Sequence, residues 1–299
     1  MAVVGYVRDD EYWPEFSTVV VRDGVMAGDD EYVCPPKALD EGGLRIGFGT
    51  IGRAGAGWMQ LVCTSGPQRV ILEVHDQRPP PVGAEWAEAL ETPYRSGSAS
   101  VGLTHMTDGW AQQAVSLPSG EKYRVQVSHR WLQAGGGEWR LRWWPQHRER
   151  PPRWLRRANT AERNLKPSQL AADAFAVAAW SPAHEIACTV DQLAQRLLAA
   201  PDQTAEAITH AADREWLTFD EALPAGSTIV LRVPDGAEVA DPDALLRRRL
   251  KRAGCGPGTT VSPVDPGPPD RRNLIGGLSY LMPSQDSQNE TPPQSPDEY

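Results

Sequence analysis

Between residues 17 and 144, apolar and polar positions alternate in short runs. In EKYRVQV, Tyr123, Val125 and Val127 fall on one side and Lys122, Arg124 and Gln126 on the other. In EWRLRWW, Trp139, Leu141 and Trp143 oppose Arg140 and Arg142. A period of two is that of a strand with one buried face. STVVVRDG, LRIGFGT, WMQLVCT and QRVILEVH read as further strands, rich in β-branched and aromatic residues. TSGPQ and LPSGE supply turns, because proline presets φ and glycine permits positive φ. Seven or eight short strands without helical stretches predict an antiparallel β-sandwich or barrel over about residues 15–145.

The period then changes. PSQLAADAFAVAAW opens with Pro167 and Ser168 and runs on helical spacing. TVDQLAQRLLA places Thr189 and Gln192 as a capping box. Val190, Leu193, Ala194, Leu197 and Leu198 then form one apolar stripe. Pro201 opens a third helix, where its missing N–H costs nothing, and Ala205, Ile208, Ala212 and Trp216 form that helix's expected buried face. LTF and TIVLRV follow as strands around LPAGS. Helix, helix, helix, strand, wing, strand is the order of a winged helix. The fold class expected is therefore multi-domain, an antiparallel β-sandwich followed by an α+β winged-helix domain and a disordered C-terminal tail. Its parts are a β-sandwich domain (1–145), a basic linker (146–166), a winged-helix domain (167–235), a short basic helix (236–253) and the tail (254–299).

Charge adds a feature that the period does not show. The 299-residue chain has a formal net charge of −9, which argues against a surface coated throughout by nucleic acid. Residues 1–135 hold 11 Lys/Arg against 17 Asp/Glu, residues 136–166 hold 9 against 3, residues 167–235 hold 3 against 10, and the remainder holds 7 against 9. A basic block thus lies between two acidic stretches. The start of the chain meets charge before any apolar region of secretory length, and no apolar run approaches a membrane span. Cys34, Cys63, Cys188 and Cys255 are scattered and lack zinc spacing. A cytoplasmic protein with reduced thiols, no metal, no cofactor and no membrane partner is expected.

Three motifs suggest chemistry and lose it on inspection. GFGTIG, Gly47 to Gly52, matches GxGxxG, but a dinucleotide site needs a helix N-terminus there and another strand follows instead. His75–Asp76 looks catalytic, yet adjacent strand residues point to opposite faces and no partner nucleophile is evident; a strand-end histidine and a turn aspartate is the plainer reading. Asp29, Asp30 and Glu31 lack the spaced oxygens of a calcium loop.

The strongest charge signal is WRLRWWPQHRERPPRWLRRANTAERNLK, residues 139–166. Arginines interleaved with tryptophans suit phosphates and bases, but the preferred reading places Trp139 and Trp143 in a sandwich strand and the arginines in docking, to the acidic domains on either side or to a partner protein. The candidates are Arg148, Arg150, Arg153, Arg156 and Arg157, joined by Arg247, Arg248, Arg249, Lys251 and Arg252 further on. On the third helix, Gln203, Thr204 and Arg214 are the plausible readers of a base edge. Asp202, Glu206, Asp213 and Glu215 on the same helix would repel phosphate. In the tail, RRNLIGGLSYLM carries Leu274, Ile275, Leu278, Tyr280 and Leu281, too apolar for a solubilising segment, and is expected to be a docking motif in cis or in trans.

Two resemblances accompany this reading. Residues 168–233 resemble the winged-helix group in element order. The first half resembles the competence protein J family of small bacterial nuclease inhibitors over STVVVRD, LRIGFGT, VILEV and SLPSGEKYRVQV, where Leu117, Pro118, Gly120 and Tyr123 match a Leu-Pro-x-Gly-x-Tyr turn. That likeness implies an acidic β-rich domain that binds another protein, and the winged helix is a departure from its single-domain members. The expected function is a non-enzymatic cytosolic binding protein, an inhibitor, immunity or regulatory adaptor. The alternative is a DNA-binding regulator using the basic segments.

Overall fold

The computed structural model describes residues 2–23, 49–55, 57–96, 99–105, 113–118, 122–133, 135–148, 150–158, 165–219 and 228–234. Several expectations fall outside these residues: the strand at 44–48, the acidic cluster at 29–31, Cys34 and Cys255, the LPAGS turn, the helix at 236–253 and the tail. So do Arg247, Arg248, Arg249, Lys251, Arg252, Leu274, Ile275, Leu278, Tyr280 and Leu281.

The chain is mostly β, with several sheets and few helices. Six strands make the first sheet: β1 (Val3–Tyr12), β5 (Gln68–His75), β6 (Glu88–Arg95), β9 (Lys122–Trp131), β10 (Gly137–Pro145) and β11 (Arg153–Arg156), in the order β1-β5-β10-β9-β6-β11. The second holds β2 (Thr18–Asp23), β3 (Gly52–Gly55), β4 (Trp58–Val62), β7 (Ser100–Thr104) and β8 (Gln113–Ser116), in the order β3-β4-β2-β7-β8. The alternation expected in QRVILEVH and EWRLRWW is present: Val70, Leu72 and Val74 on β5 and Trp139, Leu141 and Trp143 on β10 are 1% exposed or less. They share one continuous core with Val19 and Val21 of β2, Met59 and Leu61 of β4 and Val101 and Leu103 of β7. Each such aliphatic side chain, fully buried, stabilises the fold by roughly 1.5–3 kcal/mol.

The sheet is not antiparallel throughout, as had been expected. β10 runs parallel to β5, from Gly137 beside Gln68 to Trp143 beside Val74. The two strands are joined through β6 and β9 rather than by a hairpin, so a parallel pairing is open to them. Strands β1, β3, β6, β7, β8 and β11 have no counterpart in the expected set. β1 is an edge strand with mostly exposed or half-exposed residues. β6 (EALETPYR) carries two glutamates and Pro93, which hide its period. β11 pairs only with Ala89 to Glu91, so Pro93 lies where β6 has no neighbour on that side.

The helical part follows on. Helix α1 (Pro167–Ala179) starts at Pro167 as expected. It is followed by a strand that the sequence reading passed over, β12 (Glu185–Thr189), then α2 (Val190–Leu197), α3 (Pro201–Asp213), β13 (Thr218–Phe219) and β14 (Thr228–Arg232). The three strands form a small antiparallel sheet in the order β12-β14-β13. The capping box is formed: the Gln192 amide donates to Thr189 Oγ1 at 3.1 Å and the Thr189 amide to Gln192 Oε1 at 2.9 Å. α1 packs on α3, and both helices bury alanines, among them Ala171, Ala174 and Ala178 of α1 and Ala207 and Ala211 of α3.

Two helical faces differ from the expected ones. α3 buries Thr204, Ala207, Ile208 and Ala211, whereas Ala205 and Ala212 are half-exposed. The stripe is rotated because the Thr204 hydroxyl donates to the Ala200 carbonyl at 2.9 Å and can enter the core satisfied. On α2, Leu198 leaves the stripe: it is the C-cap in the left-handed conformation (φ 50°) and is exposed.

Candidate functional site: an arginine-lined cleft

The outward face of the first sheet is polar but largely buried. Strand register aligns Glu91 of β6 with Gln126 of β9, Gln126 with Arg142 of β10, and Arg142 with Glu73 of β5. The Arg142 guanidinium donates to Gln126 Oε1 and to the Pro80 carbonyl at 3.1 Å, and Gln126 Nε2 donates to Glu91 Oε1 at 3.5 Å. The segment between β5 and β6 lies over this face. Its Trp86 ring faces the guanidiniums of Arg140 (4.6 Å from its centroid) and Arg130 (5.2 Å).

Glu91 is the anchor of the face. It is 3% exposed and meets three guanidiniums: Arg78 at 3.0 Å, Arg153 at 3.0 Å and Arg124 at 3.7 Å. Burial pushes its carboxyl up, but Arg153 and Arg78 outweigh burial and hold it below the usual carboxylate range. Arg124 also donates to the carbonyls of Arg150, Glu91 (3.0 Å) and Pro151 (3.2 Å). Burial brings it down to about 10; Glu91 opposes that change, and the neighbouring Arg153, Arg196 and Arg150 add to it. It remains a cation at neutral pH, fixed in direction by acceptors on several sides.

Beside this knot lies a cleft of about 520 Å³. β-strand residues make one wall, with Trp144 and Trp154 built in almost flush, 6% and 5% exposed. Gln192, Gln195 and Arg196 of α2 make the other. Five arginines line it (78, 124, 150, 153 and 196) against a single carboxylate, Glu91. Among the described residues Arg150 and Arg196 make no ion pair. Arginines already held by a buried carboxylate need little reordering to receive an anion.

The expected basic residues therefore divide. Arg150 and Arg153 reach the cleft. Arg148 is exposed and lies outside its lining. Arg156 donates to the carbonyls of Ala84 (2.7 Å) and Trp86 (3.1 Å). Arg157 is turned inward, between the sheets and the helices, where it contacts Thr50, Asp173 and the Leu197 carbonyl. Within the span expected as a linker, Arg153–Arg156 is thus a strand of the sheet. On α3, Gln203 bonds the Ala200 amide (3.5 Å) and Thr204 is buried, so of the three expected readers only Arg214 is exposed. Asp202, Glu206, Asp213 and Glu215 are exposed as well.

Sequence reasoning missed Arg78, Glu91, Arg124 and Arg196 as site residues. The available signal was the polar face of EKYRVQV and EWRLRWW, where arginines recur opposite the core residues.

The rejected motifs have structural positions. His75 is buried with Nε2 3.0 Å from Glu73, and Asp76 accepts from the Ala2 amide at 2.8 Å, tying β1 to β5. Gly52 of the GxGxxG match opens β3, not a helix, and Gly49 lies so close to Asp173 that a Cβ there would stand 2.1 Å from its Oδ1. Cys63 and Cys188 are buried free thiols. Among the described residues no group of three His, Cys, Asp or Glu could hold a metal, and no helix is long and apolar enough to cross a membrane.

No family model matches this chain, and no curated protein matches it. Two solved structures show a weak likeness, each over 49% of this chain and all of its own. One is ComJ, inhibitor of the DNA degrading activity of NucA, from Bacillus subtilis, with 8% identity and a TM-score of 0.33. The other is described as crocagin biosynthetic gene J, with 12% identity and a TM-score of 0.35.

Proposed function

We propose that the protein is a non-enzymatic, cytoplasmic binding protein. Its β-sandwich engages a protein partner, and its winged helix supplies a second surface. The observation that carries this reading is the cleft itself: five arginines around one buried carboxylate, two of them unpaired among the described residues. Such a site receives an acidic surface in a defined orientation and contributes to the rate and specificity of encounter. The role that fits is an inhibitor, an immunity protein or a regulatory adaptor. Purification of the full chain with its endogenous partners, followed by mass spectrometry and an absorbance ratio, tests it. A stoichiometric acidic protein without nucleic acid is expected; nucleic acid alone contradicts it.

One observation favours a second reading, a DNA-binding regulator. The order α1-β12-α2-α3-β13-β14, with sheet order β12-β14-β13, supports the winged-helix reading. Against it stand the exposed carboxylates on α3, which would face phosphate. Among the described residues, Arg148, Arg150, Arg196 and Arg214 are arginines that could supply phosphate contacts.

A further inference from the structure

The cleft has a neighbour. A second cavity of about 510 Å³ lies along the same sheet face, and Arg78 and Glu91 line both. Their ion pair, at 3.0 Å, is the divide between them. Pro79, Pro81 and Val82 from the segment after β5 and Leu155 of β11 make an apolar side to this cavity, opposite Arg78, Glu91, Gln126 and Arg156.

Two groups lining the first cleft lack hydrogen-bond partners. Among the described residues the buried Trp154 indole N–H has no acceptor and the buried Gln146 Oε1 has no donor. One is a donor and the other an acceptor. A peptide unit supplies the complement of both, a carbonyl and an N–H, whereas a phosphodiester has acceptors alone and could meet Gln146 only through its NH2 with the amide turned over. This favours a neutral peptide main chain, with carboxylate side chains supplying the negative charge, over a phosphodiester backbone.

Resting on the protein-partner reading above, we infer that the paired cavities bind one extended acidic segment of the partner. Its carboxylates face Arg150 and Arg196, and an apolar side chain enters the cavity beyond the Arg78–Glu91 pair. The segment crosses the divide with its main chain near Trp154 and Gln146. Its negative charge relieves the mutual repulsion that Arg150, Arg153 and Arg196 exert on Arg124. Specificity then resides in the spacing between acid and apolar group, because the charged cleft alone accepts any polyanion.

The test is fluorescence anisotropy with the full chain and three labelled probes: an acidic peptide containing one leucine, its twin with serine in place of leucine, and a single-stranded oligonucleotide of equal charge. The leucine peptide is expected to bind about tenfold more tightly than its twin and more tightly than the oligonucleotide. Leu155→Asp is expected to abolish the preference for leucine while retaining the twin's affinity. Arg150→Glu with Arg196→Glu is expected to weaken both peptides about 100-fold. Because the serine twin alters only the peptide, the leucine comparison stands even if Leu155→Asp misfolds. Equal binding of the two peptides to the unaltered chain overturns the inference and leaves the cleft as a protein-binding site. Tighter binding of the oligonucleotide overturns both the inference and the reading it rests on. No binding of either peptide overturns the inference, while co-purification of an acidic protein would still uphold the broader reading.

Discussion

The guanidinium of Arg157 and the carboxylate of Asp173 lie 3.4 Å apart with side chains 2% and 1% exposed, joining the segment after β11 to the middle of α1. The Thr50 hydroxyl donates to the same carboxylate at 2.7 Å, and Arg157 donates to the Leu197 carbonyl at 2.8 Å. Four separate stretches of chain meet there, and one of them, the end of α2, carries a wall of the cleft. Buried pairs of this kind contribute little net stability when whole, but removing one partner leaves a charge without solvent or counter-ion.

This gives a pH-dependent prediction. Burial pushes the Asp173 carboxyl up to about 6, against the opposing pull of Arg157 and Thr50. Between about pH 4 and pH 6 the folded chain therefore keeps a proton that the unfolded chain has released, and this group makes the fold less stable as pH rises through that window. Arg157→Met is expected to cost about 3 kcal/mol or more at pH 8, where Asp173 must be charged alone, and distinctly less at pH 5, where it can be protonated. Urea unfolding at the two pH values measures it. An equal cost at both would assign the loss to packing alone.

The Thr189 cap holds the start of the helix that forms the second wall. Thr189→Ala removes the acceptor of the Gln192 amide and is expected to cost about 1 kcal/mol, with faster hydrogen exchange of the first α2 amides. An unchanged exchange rate would mean that tertiary packing alone fixes that end.

The acidic face of α3 makes its own prediction. Replacing Asp202, Glu206 and Asp213 by their amides is expected to strengthen non-specific duplex DNA binding at low salt, with the gain fading as salt rises. If affinity is unchanged, that face does not limit DNA approach.

What was legible in the sequence is what local chemistry decides. The Thr189–Gln192 box spans three residues, and the Trp139, Leu141 and Trp143 alternation needs only the strand it lies on. Glu91 was not legible, because its meaning comes from Arg124 and Arg153, which meet it only through the order β9-β6-β11, and from Arg78 in the segment between β5 and β6. Its own strand was obscured by Pro93, which is tolerated because β11 ends before reaching it. Arg157 was legible as a cation but not as a buried one: the acid that receives it, Asp173, sits within an alanine-rich helix and gives no local sign of its partner. β12 escaped notice because its five residues, of which only Cys188 is buried, carry too weak an alternation.

The central claim is that Arg150 and Arg196, which make no ion pair among the described residues, hold the partner. The most direct measurement is capture of the co-purifying acidic protein by the full chain and by the Arg150→Glu/Arg196→Glu variant, each first shown to melt at the same temperature. Retention by the unaltered chain and loss by the variant, with the difference shrinking as salt is raised, is the predicted result. Equal retention by both would contradict it and remove the cleft from the binding surface.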